Sequence, residues 1–147
     1  MRLGYNTNGF AHHRLEDALE ILAETGYRAV ALTPDVHHLP PFETTPAQLA
    51  DLRRRLERLD LAPVVETGAR FVLDPRRKHR PNLLEAEAEG REKRLALLVR
   101  CARIAGEIGA RQISIWSGTL PEGVEETEGW DRLAEGVGRL CTEAGGL

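Results

Sequence analysis

The sequence predicts an α/β fold: a (β/α) half-barrel of four parallel strands. Two observations carry this. Short apolar runs ending in polar clusters recur at Leu3–Asn6, Ala29–Thr33, Ala62–Glu66 and Gln112–Trp116. A stretch with helical spacing follows each of them. Strand–helix repetition builds a parallel sheet, whose chemistry sits at the carboxyl ends of its strands. The chain reaches Gly145-Gly146-Leu147 after the fourth unit, so residues 1–147 are expected to form one domain, the front half of an eight-stranded barrel.

Leu3–Asn6 opens as a strand, and Thr7-Asn8-Gly9 is turn chemistry. The first helix is expected over Arg14–Thr25. Leu15, Ala18, Leu19, Leu22 and Ala23 recur at its spacing, and Gly26 stops it. Tyr27–Leu32 is almost continuously apolar, which suits a strand buried on both faces. Thr33-Pro34-Asp35 ends that strand, and the loop to Thr45 also holds Pro40 and Pro41.

Thr45-Pro46 starts the second helix with a capping hydroxyl and a proline in the first turn. Leu49, Leu52, Leu56 and Leu59 form its apolar stripe. Arg53, Arg54 and Arg58, with Glu57, read as a solvated face rather than a phosphate site. After the third strand, Ala62–Glu66, the connection from Thr67 to about Glu89 far exceeds the ~2–6 residues usual at this point. Excess length there points to function. The third helix is expected over Glu92–Ile108, with Leu95, Leu98, Val99, Ala102, Ala105 and Ile108 inward and Gly109-Ala110 closing it. The fourth strand is Gln112–Trp116, and the last helix runs from Trp130 to Ala144.

Composition narrows the function classes. Apolar residues make 41% of the 147, charged residues 29%, and the net charge is −3. With no basic tail, nothing favours nucleic acid or a membrane surface. No apolar run approaches the ~20 residues that span a bilayer. No leader pattern precedes the first strand, so the expected location is the cytoplasm. Cys101 and Cys141 lie in helical segments without CxxC spacing and read as two buried, reduced thiols. Arg outnumbers Lys 18 to 2, a bias that fits either a GC-rich genome or heat tolerance.

The candidate site residues follow the strands. Asn6, Thr7 and Asn8 follow the first, with His12 and His13 beyond. Asp35, His37 and His38 follow the second. Glu66 ends the third, with Arg70 after it, and Trp116 and Ser117 end the fourth. In a barrel these positions share one mouth. Carboxylate and imidazole groups there suit metal binding or proton transfer beside a carbonyl. Glu66 and His38 are the catalytic candidates. Asn6, His37, Arg70, Trp116 and Ser117 are the substrate-binding candidates. Each has a structural alternative. Glu66 could pair with a neighbouring arginine, and Trp116 could roof the core. His12-His13 reads first as surface before a helix, and His37-His38 can send only one side chain into the mouth. The sequence holds no G-x-G-x-x-G, no P-loop, no G-x-S-x-G and no H-E-x-x-H, which argues against the corresponding nucleotide, hydrolase and zincin sites.

The opening Gly4–Leu19, with Val30–Leu39, Val64–Phe71 and Ile113–Gly118, resembles sugar phosphate isomerase/epimerase-like proteins of the xylose isomerase-like TIM barrel superfamily. The resemblance spans essentially the whole chain. It implies a TIM barrel, truncated here to its amino-terminal half, and an isomerase acting on a sugar or sugar phosphate by proton transfer next to a carbonyl. It also implies a divalent metal (Mn, Mg, Zn or Co) in the complete barrel. In that superfamily the metal ligands come mainly from strands five to eight, so no ligand is carried onto this chain and the metal residues stay unknown. Activity of this half alone stays open. Two alternatives remain. One is a non-catalytic half-barrel with a binding or assembly role, for which self-association is expected. The other is an endonuclease-like metal hydrolase. Related endonucleases use histidines at early strand ends, whereas the fourth strand here ends in Trp116-Ser117-Gly118.

Overall fold

The computed structural model describes residues 1–68 and 70–145. Ala69, within the third resembling segment, and the terminal Gly146-Leu147 lie outside the described residues. The elements alternate as β1 (Gly4–Asn6), α1 (Leu15–Glu24), β2 (Ala29–Leu32), α2 (Pro46–Arg58), β3 (Ala62–Glu66), α3 (Ala88–Ile108), β4 (Ile113–Ser114) and α4 (Glu126–Ala144). A 3-10 turn, Thr7–Phe10, leaves β1. The strands form one parallel sheet in the order β1-β2-β3-β4.

Register sorts the side chains. Val30, Leu32 and Val65 point toward the helices and are buried. Ile113, paired with Val65, joins them. Leu19 and Leu22 of α1, Leu49, Leu52 and Leu56 of α2, and Leu97, Ile104 and Ile108 of α3 complete that core. A second cluster joins Leu83, Leu95, Leu98, Val99 and Leu140, tying α4 to α3. The opposite sheet face carries Gly4, Ala29, Ala31, Ala62 and Val64, all small, and then Asn6, Glu66 and Ser114 at the carboxyl ends. Ala29 and Ala31 are only half-buried, so β2 is covered on one face rather than both.

Three boundaries differ from the sequence expectation. Helix α3 begins four residues before Glu92, and α4 begins at Glu126 rather than Trp130. Both early turns are polar and leave no apolar period. Glu89 in the first turn of α3, and Glu126 and Glu128 in that of α4, sit favourably at the positive end of the helix dipole. Strand β4 is shorter than Gln112–Trp116 because β3, its one partner among the described residues, ends at Glu66, opposite Ser114. Cys101 is buried but Cys141 is exposed on α4, which corrects the expectation of two buried thiols. Both are free.

Local chemistry explains the sharpest ends. Thr45 caps α2 reciprocally: Gln48 N–H donates to Thr45 Oγ1 at 3.3 Å, and Thr45 N–H to Gln48 Oε1 at 2.8 Å. Helix α3 ends at Gly109 (φ +79°), with Ala110 N–H returning to Ala105 O at 2.8 Å. The arginine-rich face of α2 is ion-paired. Arg55 and Arg58 share Glu20 of α1, at 3.0 and 2.6 Å, and Arg53 meets Glu57 at 2.9 Å. The hydrogen bond from Arg58 is the main reason the Glu20 carboxyl titrates below its usual range. No helix among the described residues is long and apolar enough to cross a membrane.

Candidate functional site at the strand ends

The carboxyl ends of the four strands are stitched by side-chain hydrogen bonds. Asn6 caps the turn after β1, its Oδ1 accepting from Asn8 N–H at 2.8 Å. Thr7 is fully buried, and its Oγ1 accepts from Thr33 N–H at 3.1 Å. Thr33 follows β2. Its Oγ1 lies 3.1 Å from Asn6 Oδ1 and 3.1 Å from Glu66 Oε2. One hydroxyl proton serves one acceptor at a time, so Thr33 is shared between amide and carboxylate. Thr67, just past β3, donates through Oγ1 (2.8 Å) and N–H (3.1 Å) to Ser114 O of β4. Gly68 leaves room for the Glu66 carboxylate: a Cβ there would lie 3.1 Å from both its oxygens.

A buried cation lies behind this row. Arg94, in the second turn of α3, is fully buried, and its Nη2 donates to Thr67 O at 2.9 Å. Nε and Nη1 have no partner among the described residues. Burial pushes the Arg94 pKa below its ordinary value, while the charges of Cys101 and Glu66 oppose that shift. Even so, a guanidinium stays protonated at any ordinary pH. Arg94 and Glu66 sense each other electrostatically without a contact ion pair among the described residues.

The loop after β2 is organised by Asp35, whose Oδ1 accepts from the backbone N–H of His37 (2.9 Å) and His38 (2.8 Å). The His38 ring is buried, and its Nε2 donates to His13 O at 2.8 Å, joining this loop to the one after β1. His37 is exposed and lines a cleft of about 710 Å³ between α1 and α2, with Arg14, Pro40, Gln48 and Arg55. That cleft is separate from the Asn6–Thr33–Glu66 row. His12 is exposed.

The long connection after β3 reaches back to the end of β3 and to the residues beyond β4. His79 hydrogen-bonds through Nδ1 to Gly68 O, and its ring meets Trp116 edge-on at a 4.9 Å centroid distance. Arg70 accepts His79 N–H on its carbonyl. Asn82, fully buried, donates to Thr119 O at 3.1 Å and accepts from Leu84 N–H at 2.7 Å. Trp116 and Ser117 are exposed at the end of β4. Sequence reasoning passed over Thr33 as a site residue, and also Thr67, His79, Asn82 and Arg94. For His79 and Asn82 the length of the connection was the available signal. For the threonines it was position at a strand end.

A family model described as Xylose isomerase-like TIM barrel matches residues 19–146. The chain belongs to this family. No curated protein matches the sequence. Among solved structures, this xylose isomerase-like chain is similar to D-psicose 3-epimerase crystallised in the presence of D-fructose. It is equally similar to D-psicose 3-epimerase from Clostridium cellulolyticum H10 with D-tagatose. In each case the TM-score is 0.73 and the identity 16%, covering 99% of this chain and 49% of the other. It is also similar to 3-keto-D-glucoside 4-epimerase from E. coli, with TM-score 0.67 and 11% identity, over 99% of this chain and 53% of that one. These likenesses establish the fold. The chain spans about half the length of the solved structures it matches. Among the described residues no group of three or more His, Cys, Asp or Glu side chains is placed to hold a metal ion.

Proposed function

We propose that this chain supplies the first half of the mouth of a sugar isomerase/epimerase, with Glu66 as the group that moves a proton next to a carbonyl. The observation that carries the reading is the Thr33 hydroxyl, 3.1 Å from both Asn6 Oδ1 and Glu66 Oε2. It sets a half-buried carboxylate among polar groups from three strand ends, where a barrel enzyme does its chemistry. In the proposed step a Glu66 oxygen takes the proton from the carbon beside the substrate carbonyl. The C–H electron pair moves into a C=C bond, and the carbonyl oxygen becomes the enediolate oxygen. A proton delivered to the opposite face by a second acid, from the other half of the barrel, gives the epimer. Return of the proton from Glu66 to the adjacent carbon, with the hydroxyl proton passing from one oxygen to the other, gives the isomer.

Asn6, Arg70, Trp116 and Ser117 are assigned to the substrate, Trp116 by stacking on the C–H face of a sugar. His37 lies in the separate cleft between α1 and α2 and takes no part in the proposed step, and His38 ties the loop after β2 to the one after β1. The substrate class is a sugar or sugar phosphate. A divalent metal is part of the proposal only for a complete barrel, and no step is routed through it here. Cytoplasmic location is part of the same reading.

The test is Glu66→Gln in the complete barrel, following deuterium exchange from solvent into a ketose. Turnover should fall at least ~100-fold, the scale of a lost acid–base group, with thermal stability nearly unchanged. Undiminished exchange would defeat the reading.

A second reading, assembly, is favoured by the sheet edges. Among the described residues β1 pairs only with β2, and β4 only with β3. Both outer strands thus present unpaired backbone groups that invite association.

A further inference from the structure

We propose that His79 is a further residue of the mouth, holding Nε2 as a hydrogen-bond acceptor for a hydroxyl of a polyol ligand, beside Trp116. The inference rests on the sugar reading above and adds a residue to it.

The argument starts from the ring's other nitrogen. His79 Nδ1 is hydrogen-bonded to Gly68 O, and a carbonyl oxygen only accepts. Nδ1 therefore carries the proton, and in the neutral ring Nε2 is the lone-pair nitrogen. Gly68 is no arbitrary anchor, since a Cβ on it would lie 3.1 Å from both carboxylate oxygens of Glu66. On its other side the ring meets Trp116 edge-on, and Trp116 is the large exposed side chain at the end of β4. The imidazole thus links the residue beside the proposed base to the proposed stacking surface, with its tautomer set by main chain.

The backbone agrees. His79 adopts φ +64°, the left-handed region that non-glycine residues rarely occupy, and its N–H is bound by Arg70 O. Such conformations persist where the surroundings over-determine them, and they cluster at ligand sites.

The test uses the 147-residue chain, ¹⁵N-labelled, with D-fructose as the probe. Long-range imidazole spectra should show the Nδ1–H tautomer at His79, and D-fructose should shift its Nε2 resonance. His79→Asn keeps a donor for Gly68 O and tolerates the left-handed backbone, but it has no atom at Nε2. It should bind D-fructose at least about fivefold more weakly, the worth of one hydrogen bond. If His79→Asn does not fold, the wild-type Nε2 response to D-fructose decides alone. A proton on Nε2 in the wild type overturns the proposal. So does unweakened binding by His79→Asn alongside weakened binding by Glu66→Gln and Trp116→Ala, an outcome that leaves the sugar reading standing. A wild-type chain whose spectra ignore D-fructose altogether overturns the proposal for this chain and leaves the sugar reading to the Glu66→Gln exchange test in the complete barrel.

Discussion

Thr33 Oγ1 stands 3.1 Å from Glu66 Oε2 although 33 positions separate the two residues in the chain. The contact exists because β2 and β3 run parallel in register, Leu32 beside Val65, so the next residue of each strand falls on the same level. A buried hydroxyl between an amide oxygen and a carboxylate oxygen positions the carboxylate. Thr33→Val keeps the shape and removes the proton. It should lower unfolding free energy by about 1 kcal/mol in denaturant titrations, and it should weaken sugar binding beyond that cost. A variant with full stability and unchanged binding would show that the hydroxyl neither holds nor orients Glu66.

Gly118 is the tightest point behind the mouth. Its φ is +106°, and a Cβ there would come within 2.5 Å of Asn82 Cγ. Gly118→Ala should therefore break the Asn82–Thr119 bond and destabilise the fold by roughly 2 kcal/mol or more, through backbone strain and clash together. Calorimetry would detect this as a lowered Tm, and an unshifted Tm would contradict the packing.

The two cysteines should separate by reactivity. Cys141 is exposed and should react with a thiol reagent in the native chain, whereas Cys101 should react only on unfolding. Burial pushes the Cys101 thiol up to about 12, against the opposing pull of Arg94 and Arg100. Its folded value lies above the unfolded value of about 9, so the folded state binds this proton more tightly. That stability is fully present below pH 9 and is lost as pH rises toward 12. Urea titrations across that window should show a decline on the order of a few kcal/mol, and Cys101→Val should flatten it. An identical slope in the variant would assign the decline to other groups.

Assembly is tested by sedimentation. The open edges of β1 and β4 and the half-buried face of Ala29, Ala31, Ala62 and Val64 should drive self-association at micromolar concentration. A monomer that binds no hydrophobic dye would show that this face needs no cover. The apolar groups on it are small, which limits the driving force to modest burial.

What the sequence determined by itself was local or periodic. The α1 stripe from Leu15 to Ala23, the Thr45-Pro46 start of α2 and the Gly109 stop of α3 rest on neighbours within a turn or two, and each was legible. So was the alternation of four parallel strands with helices, because each apolar run is followed by a stretch with helical spacing. The polar first turns of α3 and α4 were not, since nothing apolar marks them. The strand ends pointed to Asn6 and Glu66 as residues, but only tertiary structure decided their partners. Thr33 reads as a turn residue until β2 lies beside β3. His79 reads as loop until the long connection folds back to Gly68 and Trp116. Arg94 shows the limit most clearly. A charged residue on a helix reads as surface, yet it is fully buried, with its guanidinium on Thr67 O. Periodicity reports which side of a helix faces the core. It does not report that one core position lies behind a row of strand-end oxygens, where a cation has a place.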